Sequence, residues 1–272
     1  MKELKYYKTK KHKESLLITR KTISFRYIES IKKVCKRIEN RMDHCGYKSL
    51  LVTSTFENEG KSTIAANLAL VLADQGKRVI LVDFDFRQPA QYKIFDLDKN
   101  EYTHLSDVFK GNCDLDRIIG TLEKENVHTI FNSVPNKKST ELITPVKLNE
   151  IITCLKEKYD FIIVDSSPMA LVADAEVIAS AVDATVLVVK EHMASSSEIN
   201  DVLDTLDSCS SKMIGCIIND TRGSAGIGMG GRGYGRYYGY GYMPYGGDNY
   251  YKKDYYANNM RSFESGDKNE QS

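Results

Sequence analysis

Apolar residues recur along this chain in two periods. Over 25–42, Ile28, Ile31, Cys35, Ile38 and Met42 return every three or four positions, which predicts an amphipathic helix. Lys32, Lys33, Lys36 and Arg37 crowd its other side. The stripe could cover the chain's own sheet or a neighbouring molecule, and an amphipathic helix ordinarily buries its stripe in its own domain. Short apolar runs at Lys48–Ser54, Arg78–Asp83, Phe161–Asp165, Thr185–Lys190 and Met213–Asn219 predict buried strands, with a shorter one at Thr129–Asn132. Between them the pattern predicts helices. One, Ser62–Gln75, is rich in Ala and Leu and is closed by Gly76. Another lies within Ser139–Lys158, interrupted or delayed near Pro145, and two more cover about 174–182 and 195–208. Strands that alternate with helices imply an α/β fold with a mainly parallel sheet covered by helices on both faces. Right-handed crossovers then put the strand C-termini on one edge, where open α/β sheets bind ligands.

Both ends of the chain depart from this pattern. Ten of its 17 tyrosines lie between Tyr234 and Tyr256, in the stretch RGYGRYYGYGYMPYGGDNYYKKDYY, interleaved with Gly and few aliphatic residues. Such a segment cannot bury enough surface to offset its ordering entropy, so it reads as a disordered tail. It is either a self-associating low-complexity segment or a set of phosphoacceptors. At the other end, 1–24 reads as a mobile arm. Length and pattern together suggest a basic arm (1–24), a P-loop domain (25–221) and a Gly/Tyr-rich tail (222–272).

The net charge of +1 hides an asymmetry. Residues 1–40 hold 13 Lys/Arg against four Glu, whereas 41–220 hold 18 Lys/Arg against 28 Asp/Glu. A basic end of this kind meets an anionic surface or an acidic partner, or stays solvated. A nucleic-acid partner is not expected. The six cysteines are scattered without a CxxC, which argues against zinc or a disulfide framework and for a reducing compartment. No apolar run approaches the ~20 residues that span a bilayer, and the charged N-terminus lacks a signal-peptide core. The expectation is a cytoplasmic protein, held at a membrane only through something else.

The chemistry concentrates at three strand ends. Thr55–Ser62 reads TFENEGKS, the P-loop pattern GxxxxGK[ST] with Thr in place of its first Gly, between a predicted strand and a predicted helix. Gly60 lets backbone N–H groups close around phosphate oxygens, and the helix N-terminus adds a favourable dipole. Lys61 can reach β- and γ-phosphates, and the Ser62 hydroxyl can ligate Mg²⁺. Thr55, Asn58, Glu59, Gly60, Lys61, Ser62 and Thr63 are therefore the candidate ATP contacts. Asp83 and Asp85 end a strand in VDFDFR, and strand alternation would point both carboxylates the same way. Asp165 ends a second apolar strand and fits the Walker B role of ordering water around Mg²⁺. Ser62, Asp83, Asp85 and Asp165 are the candidate metal residues, and Lys61, Asp83 and Asp85 the candidate catalytic ones. Asp83 could serve as base or as a partner in the metal shell, and sequence does not separate the two.

On these residues the chain resembles the bacterial tyrosine kinases (BY-kinases) of capsule and exopolysaccharide systems, the CpsD/CapB type, from about Glu29 to the tail. The family's Walker A′ motif, an apolar strand with DxDxR, is matched by Ile80–Arg87 with Pro89 following. Its Walker B, ending D-S/T-x-P, is matched by Asp165–Pro168. Asp174-Ala175, the strand Gly215–Asn219 and the tyrosine cluster match as well, and related folds make Asn219 a candidate reader of adenine. The resemblance implies an ATP- and Mg²⁺-dependent protein-tyrosine kinase that modifies mainly its own tail, between neighbouring subunits. Its acceptors would be Tyr234, Tyr237, Tyr238, Tyr240, Tyr242, Tyr245, Tyr250, Tyr251, Tyr255 and Tyr256. It further implies a homo-oligomer, a transmembrane activator of the polysaccharide co-polymerase kind that recruits the chain to the inner face of the membrane, and a cognate tyrosine phosphatase.

Two departures qualify the match. Glu57-Asn58 replaces the family's Pro-Gly; Asn tolerates a left-handed backbone, while Glu57 adds negative charge beside the phosphates. The family's oligomerisation motif ExxRxxR falls on Glu29, Lys32 and Cys35, which lack the planar fork of Arg. The other reading of this fold is a ParA/MinD-like ATPase switch. Phe56 stands where those proteins carry a signature Lys, which argues against it, as does the tyrosine tail. A third reading keeps ATP binding with weak turnover.

Overall fold

A computed structural model of the chain describes residues 5–7, 16–19, 23–97, 105–122, 125–132, 135–136 and 139–219. The chain divides into two units, Met1–Gly226 and Ile227–Ser272, and the ten tail tyrosines fall in the second, outside the described residues.

The predicted strands appear as β2 (Ser49–Ser54), β3 (Val79–Asp83), β5 (Val127–Ile130), β6 (Phe161–Asp165), β7 (Ala184–Lys190) and β8 (Lys212–Asn219). Two three-residue strands join them, β1 (Lys5–Tyr7) and β4 (Gly120–Leu122). Their order in the sheet is β1-β4-β5-β3-β6-β2-β7-β8. Every neighbouring pair is parallel except β4–β5. The P-loop strand β2 is thus central, flanked by β6 and β7.

Alternate residues of the central strands feed two cores, as the two-residue period requires. Leu50, Val52, Leu81 and Ile163 face the helices α1 (Phe25–Cys45) and α2 (Lys61–Asp74). Leu51, Ile80, Val82 and Ile162 face α6 (Pro145–Lys158), α7 (Asp174–Ala179) and α8 (Ser196–Asp207). Three short helices, α3 (Gln91–Ile94), α4 (Leu105–Phe109) and α5 (Ser139–Leu142), lie in the connections. Pro145 sits in the first turn of α6, where its missing N–H is harmless, and the Thr144 side chain caps that turn. The predicted interruption of Ser139–Lys158 is this boundary between α5 and α6.

Helix α1 buries Ile31, Cys35, Ile38 and Met42 against α2 and the sheet, so the stripe is intramolecular. Ser24 caps its start and Gly46, at φ 69, closes it three residues beyond the predicted end. Glu29 pairs with Lys32 along the exposed face at 3.7 Å. Cys35, the third position of the ExxRxxR register, points inward, and burial, with Glu39 beside it, pushes its thiol up to about 12.

The expectation of a free arm over 1–24 is corrected at two places. β1 adds a parallel strand to β4 at the sheet edge. Leu17 is buried in the core shared by α1 and α2. The side chain of Asn67, in the middle of α2, grips the backbone on both sides of Leu17. It accepts from the Ile18 N–H at 2.8 Å and donates to the Leu16 carbonyl at 2.9 Å. The apolar triplet at 16–18 supplies the burial, and a buried amide satisfies backbone groups that would otherwise be stranded.

Candidate active site

The P-loop runs from the end of β2 into α2. Asn58 adopts φ 63 and Gly60 φ 96, so the substitution of Asn for the family's Gly preserves a left-handed turn. Glu59 is buried, and its carboxylate accepts from Phe56 N–H at 2.7 Å and from Lys190 N–H at 3.2 Å, which ties the loop to the end of β7. The Asn219 amide donates to the Glu59 carbonyl at 2.9 Å. A β-carbon on Gly60 would lie 2.3 Å from Asn219 Nδ2, so the loop backbone and Asn219 are in close contact. Gly60 is therefore required both by its dihedral angle and by its neighbour.

Lys61 lies between carboxylates. Its Nζ is 2.9 Å from Asp85 Oδ2, 3.8 Å from Asp165 Oδ1 and 3.2 Å from Ser62 Oγ. Burial works against this ammonium, but Asp165 and Asp85 outweigh it and hold its pKa above the usual lysine value. Burial, and beyond it Asp85, pushes Asp165 upward although Lys61 pulls the other way. Asp165 Oδ1 is buried and accepts no hydrogen bond.

Asp83 and Asp85 serve different ends. β3 stops at Asp83, so Asp85 lies in the following loop and the alternation expected for a strand does not apply. Asp83 is fully buried, and its carboxylate accepts the N–H groups of Asp85, Ala90 and Gln91 at 3.0–3.2 Å. It therefore folds the segment 85–91 back over the strand end. Burial, then Asp165 and Asp85, push Asp83 well above the usual carboxylate range. Asp85 lines the open cavity, and its second oxygen accepts Gln88 N–H at 2.9 Å. Gln88 also donates to Glu57 at 2.7 Å, which occupies the charge that this residue adds beside the loop.

The cavity holds about 340 Å³, within the size range of small-ligand sites. Asn58, Gly60, Lys61, Ser62, Thr63 and Asp85 line it. Thr55, Glu59, Asp83, Asp165 and Asn219 are not among its lining residues. An apolar rim of Ile94, Pro168, Leu171 and Val172 faces the P-loop, and Arg87 lies beside it. Arg87 Nε donates to the buried Asp174 at 3.0 Å, so two matched motifs 87 residues apart meet here.

Among the described residues no group of three or more His, Cys, Asp or Glu forms a cage for a metal ion. Magnesium does not need one, since it keeps several waters and takes one or two carboxylates plus substrate phosphates. The Ser62 hydroxyl, Asp85 on the cavity wall and Asp165 Oδ1, which accepts no hydrogen bond, fit that donor set.

Sequence reasoning did not find Gln91 or Asn67. Gln91 is buried and its side-chain amide donates to the Ser62 carbonyl and to Asp165 Oδ2, each at 2.9 Å. The only sequence signal was its place just after the DxDxR segment.

A central P-loop strand with carboxylates ending the two strands beside it on one side defines a P-loop nucleotide-binding α/β protein. The AAA domain family matches residues 58–216, more than half of the chain, and the chain belongs to this family, in its bacterial tyrosine-kinase branch. The tyrosine-protein kinase YwqD of Bacillus subtilis (strain 168) is 30% identical over 172 residues, covering 63% of this chain and 72% of that protein. The crystal structure of the chimerical protein CapA2B2 superposes with a TM-score of 0.68 at 27% identity, covering 79% of this chain and 92% of that one. The septum site-determining protein MinD of Pyrococcus horikoshii OT3, complexed with Mg-ADP, superposes with a TM-score of 0.57 at 26% identity, covering 65% of this chain and 72% of that one.

Proposed function

We propose that this chain transfers the γ-phosphoryl group of ATP to tyrosine hydroxyls, chiefly those of its own tail, and that it serves capsule or exopolysaccharide synthesis. The observation that carries this reading is Lys61 held between Asp85 and Asp165 at the mouth of a P-loop. The P-loop N–H groups and Lys61 hold the phosphates and offset their charge. Mg²⁺, when bound, would supply positive charge against the charge that develops on the phosphate oxygens. Ser62, Asp85 and Asp165 are the residues that would hold it.

A phenol ordinarily loses its proton only near pH ~10. Of Asp83 and Asp85 it is Asp85 that lines the cavity, and Glu57, the other lining carboxylate, is taken by the Gln88 amide, so Asp85 takes the base role, accepting the proton as the phenol oxygen bonds to the γ-phosphorus. The bond from that phosphorus to the β–γ bridging oxygen breaks and ADP leaves. Asp83, spent on backbone N–H groups, holds Asp85 in place. Transfer occurs between neighbouring subunits, and each tail phosphate adds about −1.5 to −2 charge, so heavy modification loosens the assembly. A transmembrane activator brings the chain to the inner face of the membrane and raises its activity; among the described residues no helix is long and apolar enough to cross a membrane. A cognate tyrosine phosphatase resets the tail.

The test is incubation of the full chain with γ-labelled ATP and Mg²⁺, with and without such an activator segment, followed by mass spectrometry. Phosphate should map to several of the ten tyrosines from Tyr234 to Tyr256, and replacing all ten with Phe should remove most of it. Phosphate confined to Ser, Thr or tyrosines before residue 220 would overturn the reading.

A further inference from the structure

Two parts of the active site that are distant in sequence must keep a fixed relation. Ser62 lies in the first turn of the P-loop helix, and Asp165 ends β6. One buried side chain spans the gap. Gln91 Nε2 donates to the Ser62 carbonyl and to Asp165 Oδ2, both at 2.9 Å, so both hydrogens of its amide are used. Both partners are acceptors, which fixes the orientation of the amide. The residue is anchored in turn, because its own N–H donates to Asp83.

The consequence falls on Asp165. With Oδ2 committed to Gln91, the carboxylate cannot rotate freely, and its other oxygen, Oδ1, is the one on the Lys61 side at 3.8 Å. That oxygen is buried without a hydrogen-bond partner. A buried carboxylate oxygen left bare costs free energy unless something fills its remaining valence. A side chain that gives one amide hydrogen to one oxygen of a carboxylate and the other to the P-loop helix, leaving the second carboxylate oxygen without a hydrogen bond, is arranged as an outer partner of a metal ligand.

We propose that Gln91 is a positioning residue that orients Asp165 for Mg²⁺ and locks the Walker B strand to the P-loop helix. It acts through Asp165 and touches neither nucleotide nor acceptor. Glu at this position would bring a third acceptor against Asp165 and the Ser62 carbonyl. Met would keep the length and remove both donors.

The proposal rests on reading the cavity as a Mg-nucleotide site. It is tested by calorimetry of ADP binding to the full chain, first in EDTA and then with MgCl₂ added in steps. For Gln91→Met the Mg²⁺ concentration giving half the full effect should rise about tenfold or more, as losses of outer partners of metal ligands do. ADP affinity in EDTA should stay within about twofold, because the phosphate-binding backbone is untouched. An unchanged Mg²⁺ requirement would overturn the proposal. So would a loss of affinity in EDTA equal to that in Mg²⁺, which would mean that Gln91 merely props the P-loop through Ser62.

If circular dichroism shows Gln91→Met to be unfolded at the assay temperature, Gln91→His is titrated instead. It keeps one N–H and should shift the Mg²⁺ requirement by a smaller factor, and no shift there overturns the proposal equally. Wild-type ADP binding that ignores Mg²⁺ would remove the reading of the cavity and the proposal with it. A wild-type response that both variants leave intact removes the proposal alone.

Discussion

Replacing Lys61 with Met should cost stability as well as chemistry. Lys61 is the cation beside the buried Asp85 and Asp165. Removing one partner of a buried ion pair typically costs about 3–5 kcal/mol, because the other charge is left uncompensated. The folded protein can limit this cost by protonating a carboxyl. That step costs about 1.4 kcal/mol per pH unit above an ordinary pKa of about 3.9, hence about 4 kcal/mol near pH 7 and about 1.5 kcal/mol near pH 5. The sign follows from Asp165. Its pKa is already raised in the folded protein and rises further without Lys61. A raised carboxyl favours folding below its ordinary pKa and loses that advantage as pH climbs through the raised value. The stability gap between wild type and variant therefore opens with rising pH and narrows toward acid. For a domain of this size 4 kcal/mol is a drop in melting temperature of roughly 8–16 °C. Thermal melts followed by circular dichroism near pH 7 and near pH 5 read the gap directly. The double variant Lys61→Met/Asp85→Asn should recover part of it. Equal melting temperatures near neutrality, or a gap of the same width at both pH values, would refute the electrostatic account of this site.

Gly60→Ala should weaken ADP binding at least about tenfold, since the new methyl meets Asn219 at 2.3 Å on a backbone at φ 96 that resists a side chain. Adding Asn219→Ala should recover only part of that loss, and full recovery, measured by the same calorimetry, would leave the dihedral with no role. Asn67→Ala should free the Leu16–Ile18 segment by about 1–3 kcal/mol through two lost backbone partners. Amide exchange at Ile18 should speed up about fivefold or more, and protection equal to wild type would show that Leu17 alone holds the segment.

What the sequence disclosed follows from how local each signal is. The P-loop is contiguous, and its strand and helix flank it, so Gly60, Lys61 and Ser62 could be placed without coordinates. Asp165 stood out because an unbroken apolar run ends on it. The left-handed tolerance of Asn foretold the turn at Asn58. The contacts that were missed join residues far apart. Gln91 reaches Asp165 across 74 residues, and Ile18 reaches Asn67 across 49. No period carries such a relation. Asp83 shows a subtler failure. Alternation predicted that it would face the same way as Asp85, but the strand stops at Asp83, and the loop that turns back takes its carboxylate for three backbone N–H groups. β1 and β4 escaped because three residues are too few to display a period.

Asp83 stands opposite Asp165 in the ladder between β3 and β6, and Val52 of the P-loop strand stands opposite Asp165 from the other side. The sheet is therefore the ruler of this site. Neighbouring strands lie about 4.8 Å apart and each residue advances about 3.3 Å along its strand. A one-residue insertion or deletion inside 79–83 or 161–165 would turn a carboxylate toward the opposite helix layer as well as shift it. Tolerance of length changes in this protein is thus a matter of address: the ladder of β2, β3 and β6 admits none, however conservative the residue added.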